Sequence, residues 1–190
     1  PKPSSAASDV YKRQSYDPAY SYEIAVIVQD GLRRMYGEPQ EDVFYYLTLL
    51  NEKTAHPAMP ERAEEGIVKG MYRLKRGART ADAPHVQLMG SGAILSEVIA
   101  AATLLRRDFG VSADIWSVTS FSELRRDGLE AERWNRLHPA QAPRASYVAQ
   151  CLAGEDGPAI AATDYMKIVP DQIRPFVGDR RFVTPVSYTH

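Results

Sequence analysis

The chain has 190 residues, of which 44% are hydrophobic and 25% charged, with 23 Lys+Arg against 24 Asp+Glu and a net charge of −1. That content excludes a chain disordered throughout, no run reaches the roughly 18 consecutive apolar residues of a membrane helix, and the near-neutral balance argues against a dedicated nucleic-acid binder. A single cysteine, Cys151, excludes an intramolecular disulfide and fits a reducing compartment.

Residues 1–14 (PKPSSAASDVYKRQ) are polar, carry no amphipathic period and lack the apolar core of a signal peptide. The string SSAASDVYKRQ and the closing VSYTH resemble translated adaptor sequence. Residues 1–14 are therefore expected to be a non-native or disordered leader and 185–190 a non-native tail.

The first structured element follows. Ile24, Ile27, Val28, Gly31, Leu32 and Met35 recur at helical spacing, which predicts an amphipathic helix from about Ala19 to Tyr36, closed by Gly37. Val43 to Leu50 (VFYYLTLL) reads as a buried strand. Residues 51–84 differ in character: Pro57, Pro60 and Pro84 punctuate them, and Arg73, Lys75, Arg76 and Arg79 form a basic cluster. This stretch is expected to be an interdomain linker with one short strand near Gly66 to Leu74 and a solvated basic face.

Beyond it the pattern alternates regularly. His85 to Met89 is a strand, Gly90-Ser91-Gly92 a tight turn, and Ile94 to Phe109 a helix stopped by Gly110. Ala113 to Val118 is the next strand. Ser120 and Glu123 form a capping box that opens a helix towards Trp134. Pro158 to Thr163 is a third strand, Asp164 caps a helix that Pro170 interrupts or restarts, and Arg181 to Thr184 begins a fourth strand. Strands alternating with amphipathic helices imply parallel βαβ units. The expected fold class is thus α/β, a mostly parallel sheet with helices on both faces, preceded by the tail of a second α/β domain.

Few residues carry chemistry. The strand–Gly90-Ser91-Gly92–helix is where backbone N–H groups could cradle an anion, although it is neither GxGxxG nor a Walker loop, and glycines also serve simply to turn the chain. His56, His85, His138 and His190 have no metal-ligand spacing. Cys151 lacks a basic sequence neighbour and reads as a buried spectator. Ser91 and Ser120 read as helix caps. Glu61, Glu64 and Glu65, and Glu123, Asp127, Glu130 and Glu132, read as solvated helix faces. Trp116 and Trp134 read as core or interface anchors.

The residues themselves say more. Ser15-Tyr16-Asp17-Pro18-Ala19-Tyr20, Tyr22-Glu23, Asp30-Gly31-Leu32 and Met35-Tyr36-Gly37-Glu38 resemble the homodimeric type of pyruvate dehydrogenase E1 component. Asn51-Glu52, His56-Pro57-Ala58-Met59-Pro60, Leu88-Met89-Gly90-Ser91-Gly92, Ser117-Val118-Thr119-Ser120-Phe121, Glu132-Arg133-Trp134-Asn135 and Ala162-Thr163-Asp164-Tyr165-Met166 continue that resemblance in one register to Thr184. Transketolase resembles only the Gly90 to Ser120 portion. The pattern departs at Ser21, where the family often has Ala, and at Thr54, where it has an aromatic.

The resemblance implies a thiamine diphosphate and magnesium enzyme that decarboxylates pyruvate and acetylates the lipoyl group of the E2 acetyltransferase. It implies a cytoplasmic homodimer, with no nucleic-acid or membrane partner. Residues 15–50 would be the tail of the second, pyrimidine-binding-type domain, 51–84 the linker, and 85–184 a truncated transketolase C-terminal-like domain. The family's catalytic histidines and activating glutamate map upstream of Ser15, and Gly154-Glu155-Asp156-Gly157 reads as a turn rather than the family's magnesium motif. No residue here is therefore assigned as catalytic, cofactor-binding or metal-binding, and the chain alone is expected to be inactive and to hold no cofactor. The competing expectation is a stand-alone anion-binding or docking module, motivated by the Gly90 turn and the Arg73 to Arg79 cluster.

Overall fold

The computed structural model describes residues 12–49, 55–79 and 83–185. A small parallel pair, β1 (Arg13–Tyr16) and β2 (Phe44–Leu47), flanks helix α1 (Ser21–Tyr36). Helix α2 (Glu64–Lys69) and strand β3 (Tyr72–Lys75) lead into the larger unit. That unit comprises β4 (His85–Gly90), α3 (Ile94–Phe109), β5 (Ser112–Ser117), α4 (Phe121–Leu137), α5 (Tyr147–Leu152), β6 (Ala159–Ala162), α6 (Ile168–Asp171), a 3-10 turn at Arg174–Phe176 and β7 (Phe182–Val183).

The five-stranded sheet has the order β3-β5-β4-β6-β7. β4 pairs in parallel with both β5 and β6, β7 adds in parallel to β6, and only β3 is antiparallel. Alternation along the strands feeds two cores. Leu88 and Ile115 pack with Leu95 and Val98 of α3 on one face. Met89, Trp116 and Ala161 pack with Leu124 of α4, Val148 and Leu152 of α5, and Phe176 on the other. Each large apolar side chain so buried contributes about 1.5–3 kcal/mol. The sheet is therefore covered by helices on both faces, as the alternation implied. A third core, built on Tyr16, Ile27, Ile67 and Tyr72, joins β1 and α1 to α2 and β3.

Helix ends follow from local chemistry. The Ser120 hydroxyl accepts from Glu123 N at 3.1 Å and opens α4. The reverse arm of the box is absent, because Ser120 N donates to Gly70 O and the Glu123 carboxylate pairs with Arg126. Gly110 ends α3 at φ +65.

Several expectations change. β3 lies inside the stretch read as linker, yet it pairs with β5 and closes the sheet edge, so residues from Tyr72 onward belong to the larger unit. The short strand expected around Gly66 to Leu74 is β3 at its end, and the residues before it form helix α2. Arg13 and Gln14, read as leader, form half of β1, and Gln14 is buried. Asp164 caps no helix: α6 starts after Lys167, without a side-chain cap, and Pro170 sits in its first turn, where a missing N–H costs little. The VFYYLTLL strand is also less buried than expected, with Phe44 and Tyr46 exposed. The parts of the leader and tail at 1–11 and 186–190, and linker residues 50–54 and 80–82, lie outside the described residues.

Candidate functional site

In an open parallel sheet, ligands settle beyond the carboxyl ends of the strands, where the strand order reverses. Here that point is the end of β4, whose neighbours are β5 and β6. A crevice of about 400 Å3 opens there, touched by Asp17, Thr48, Ser91, Ser120 and Tyr165. Asp17 forms part of its wall and is held there by the chain around it. Asp17 N donates to Thr119 O at 2.7 Å, and Gly92 N donates to Asp17 O at 3.2 Å. Both Asp17 carboxylate oxygens lie 2.7 Å from the point where a Cβ on Gly92 would stand, and Gly92 has φ +49. Thr48 Oγ1 donates to Asp17 Oδ1 at 2.6 Å, while Oδ2 is buried without a partner.

The Gly92 N–H that an anion cradle would use is taken by Asp17 O. A carboxylate seated in one would be held below its usual range. Instead, burial pushes the Asp17 carboxyl upward; Thr48 and Ser91 pull it back, and Asp164 adds to the rise. The Gly90-Ser91-Gly92 turn therefore serves to admit Asp17, and Ser91 Oγ donates to Thr163 Oγ1 at 3.0 Å across the ends of β4 and β6.

The seam extends from this point. Ser120 Oγ and Ser122 Oγ donate to Ser15 O at 2.5 and 3.2 Å. Arg126 donates to Arg13 O at 2.8 Å and to Gln14 Oε1 at 2.5 Å. Tyr16 OH donates to Val68 O at 2.8 Å, and Thr119 Oγ1 to Ile67 O at 2.7 Å. Each such bond contributes about 0.5–1.5 kcal/mol net. The most enclosed charge in the seam is Glu23, which is fully buried. Its Oε2 accepts from Ala19 N and Tyr20 N at 2.5 and 2.9 Å. Its Oε1 accepts from Tyr72 OH at 2.7 Å and Ser117 Oγ at 2.6 Å.

Elsewhere the chemistry-bearing residues are consumed by structure. The basic cluster is not simply a solvated face. Arg73, Arg76 and Arg79 all pair with Glu155, and Arg79 also reaches Asp114 and Asp156. Arg73 lies over the Trp116 ring at 4.7 Å, while Trp116 donates to Gln87 Oε1 at 2.8 Å in the core. The 154–157 turn thus anchors three arginines through Glu155. Trp134 is sandwiched between His138 and Arg144.

The histidines are separate. His56 Nδ1 accepts from Ser21 N at 3.0 Å beside a second, largely apolar crevice of about 450 Å3. His85 lies against Ser112 and Asp114, His138 against Trp134 O, and His190 is outside the described residues. Among the described residues no three His, Cys, Asp or Glu side chains converge as a metal site. Cys151 is half-buried, and burial pushes its thiol above the usual range. Glu123 faces Arg126 in a largely buried setting rather than water. Glu64 and Glu65 are exposed on α2 as expected, while Glu61 is exposed in the turn before it. Sequence reasoning did not single out Asp17 or Glu23. For Glu23 a signal existed: it stands four residues before Ile27 and eight before Gly31, on the buried stripe of α1.

Two features weighed for an anionic cofactor or its metal are otherwise engaged among the described residues: Glu155 of the 154–157 turn pairs with guanidinium groups, and Asp17 stands against the glycine turn.

Comparison with known proteins draws these features together. The model of the transketolase-like TK C-terminal domain matches residues 70–184, and that of the pyruvate dehydrogenase E1 component middle domain matches 3–57. The pyruvate dehydrogenase E1 component of Pseudomonas aeruginosa is 57% identical over 176 residues, 93% of this chain and 20% of that protein. That of Cupriavidus necator is 56% identical over 169 residues, 89% of this chain and 19% of that protein. The chain spans about a fifth of the length of these relatives. Among solved structures, transketolase of Campylobacter jejuni superposes over 96% of this chain and 23% of its own, with TM-score 0.54 and 14% identity. Transketolase of Pichia stipitis covers 93% and 21%, with TM-score 0.52 and 12% identity. At such identity these two speak to the fold alone.

Proposed function

This chain belongs to the pyruvate dehydrogenase E1 family, its larger part being a transketolase-like C-terminal domain, and from that premise we propose that it is the junction of the middle and third domains of an E1 subunit. In this reading the whole subunit decarboxylates pyruvate with thiamine diphosphate and magnesium and passes the acetyl unit to the lipoyl group of E2. It works as a cytoplasmic homodimer. When bound, the cofactor supplies the electron sink for decarboxylation, and no residue described here takes a step in that chemistry. What this chain supplies is a frame: the seam holds β1, α1 and β2 against the carboxyl edge of the five-stranded sheet.

The observation that carries the reading is the pair of family models lying in sequence order on one chain, at 3–57 and 70–184. The structure supplies a physical reason for their adjacency, since Asp17 and Glu23 from the first match make their contacts with Thr119, Gly92, Tyr72 and Ser117 of the second. The stand-alone module is not favoured. Glu155, Asp114 and Asp156 engage the arginines that would recruit an anion, and Asp17 stands against the turn that would cradle one. No helix among the described residues is long and apolar enough to cross a membrane.

The test is long-read sequencing of the source DNA across this locus. The reading expects one open frame that continues into the remaining E1 segments. A frame closed at both ends of this chain would overturn it.

A further inference from the structure

We propose that Glu23 is an interdomain positioning residue of the E1 subunit, a buried carboxylate that ties the first turn of α1 in the middle domain to β3 and β5 of the third. The proposal rests on the reading of the chain as an E1 junction for its domain names, but its geometry is independent of that reading.

The two carboxylate oxygens have separate duties. Oε2 takes the backbone N–H groups of Ala19 and Tyr20, closing the start of its own helix. Oε1 leaves the helix altogether and takes the hydroxyls of Tyr72 on β3 and Ser117 at the end of β5. Tyr72 in turn is held by the Tyr22 hydroxyl at 2.6 Å. A helix cap needs only the first pair of donors. The second pair lies far along the chain, within the other family match.

Burial makes the arrangement demanding. Glu23 is completely enclosed, and no lysine, arginine or histidine pairs with it among the described residues. A buried carboxylate without a cation is stable only if its lone pairs are filled by donors. All four donors arrive at 2.5–2.9 Å from three elements, which fixes α1 in one position relative to the sheet. Any slide of α1 away from β3 and β5 would leave the carboxylate buried and half-satisfied, so the penalty rises steeply with displacement. Burial, first, and Glu23, second, push the Tyr72 hydroxyl well above its usual range, which keeps it a donor at every physiological pH.

The test is hydrogen–deuterium exchange on the E1 subunit carrying this sequence, in the Tyr72→Phe, Ser117→Ala and doubly substituted forms. These changes remove the third-domain donors and leave the helix cap intact. The expected result is that the seam amides of Asp17 and Gly92 exchange at least tenfold faster in the double variant, while the β4–β5 amides are unchanged. Unchanged seam amides would overturn the proposal, leaving Glu23 as a helix cap alone. A uniform rise that includes β4 and β5 would also overturn it, because the hydroxyls would then act through global stability. Where the double variant fails to fold, Ser117→Ala alone supplies the same comparison, with a threefold rise confined to the seam as the expected result. Because exchange does not depend on turnover, an inactive wild-type subunit would sink the functional reading without touching this one.

Discussion

Asp17 and Gly92 occupy one another's space: the two carboxylate oxygens of Asp17 stand 2.7 Å from where a side chain on Gly92 would begin. The glycine is therefore demanded twice, by its positive φ and by its neighbour. Gly110 also has a positive φ but has open space around it. Gly110→Ala is expected to cost about 1 kcal/mol, the conformational part alone. Gly92→Ala is expected to cost about 2–4 kcal/mol, because Asp17 must also move. Thermal melting of the two variants side by side separates the two contributions; equal losses would mean that Asp17 yields freely.

Asp17 itself gives a pH signature. Its carboxyl is raised, chiefly by burial. A carboxyl whose folded pKa lies above its unfolded one favours the native state most below the unfolded value, and that advantage is lost as pH rises through the folded value. Asp17→Asn removes this titration. The variant should therefore gain stability relative to the parent as pH is raised from about 4 towards neutrality. Urea midpoints measured at several pH values check the sign. A gap that narrows with rising pH would contradict the burial argument.

Glu155 is the common partner of Arg73, Arg76 and Arg79, and its side chain is 10% exposed. Removing it leaves guanidinium groups short of an acceptor in a partly enclosed place. Glu155→Gln is expected to lower stability by about 2–3 kcal/mol. Arg76 is 65% exposed on its side chain, so Arg76→Ala should cost less than about 0.5 kcal/mol. Denaturation curves of the two variants give the comparison, and a larger effect at Arg76 would show that the cluster is not organised around Glu155.

Much of this fold is legible in the residues, and the parts that are not share a cause. α1, α3 and α4 run long enough to display a helical period, and Gly37 and Gly110 mark the ends of the first two. β4, β5 and β6 announce themselves by apolar runs between turns. α2 and α5 span only six residues each, too few for a period, so Ile67 and Val68 read as strand. β3 looked like linker because its pairing with β5 is antiparallel and far along the chain, which alternation does not reveal. The run VFYYLTLL looked buried because apolar residues do not say which neighbours are present; among the described residues β2 pairs only with β1. Glu23 was missed, although its place on the buried stripe of α1 offered a signal. The role of Asp17 was not legible, since it depends on Gly92 arriving from another element.

The most direct measurement of the central claim is pyruvate-dependent reduction of an artificial electron acceptor by the E1 subunit that carries this sequence, with the 190-residue chain assayed beside it. The account predicts turnover in the subunit that requires added thiamine diphosphate and magnesium, and none in the chain alone. Turnover by the isolated chain, or a subunit that leaves pyruvate untouched with both cofactors present, would contradict it.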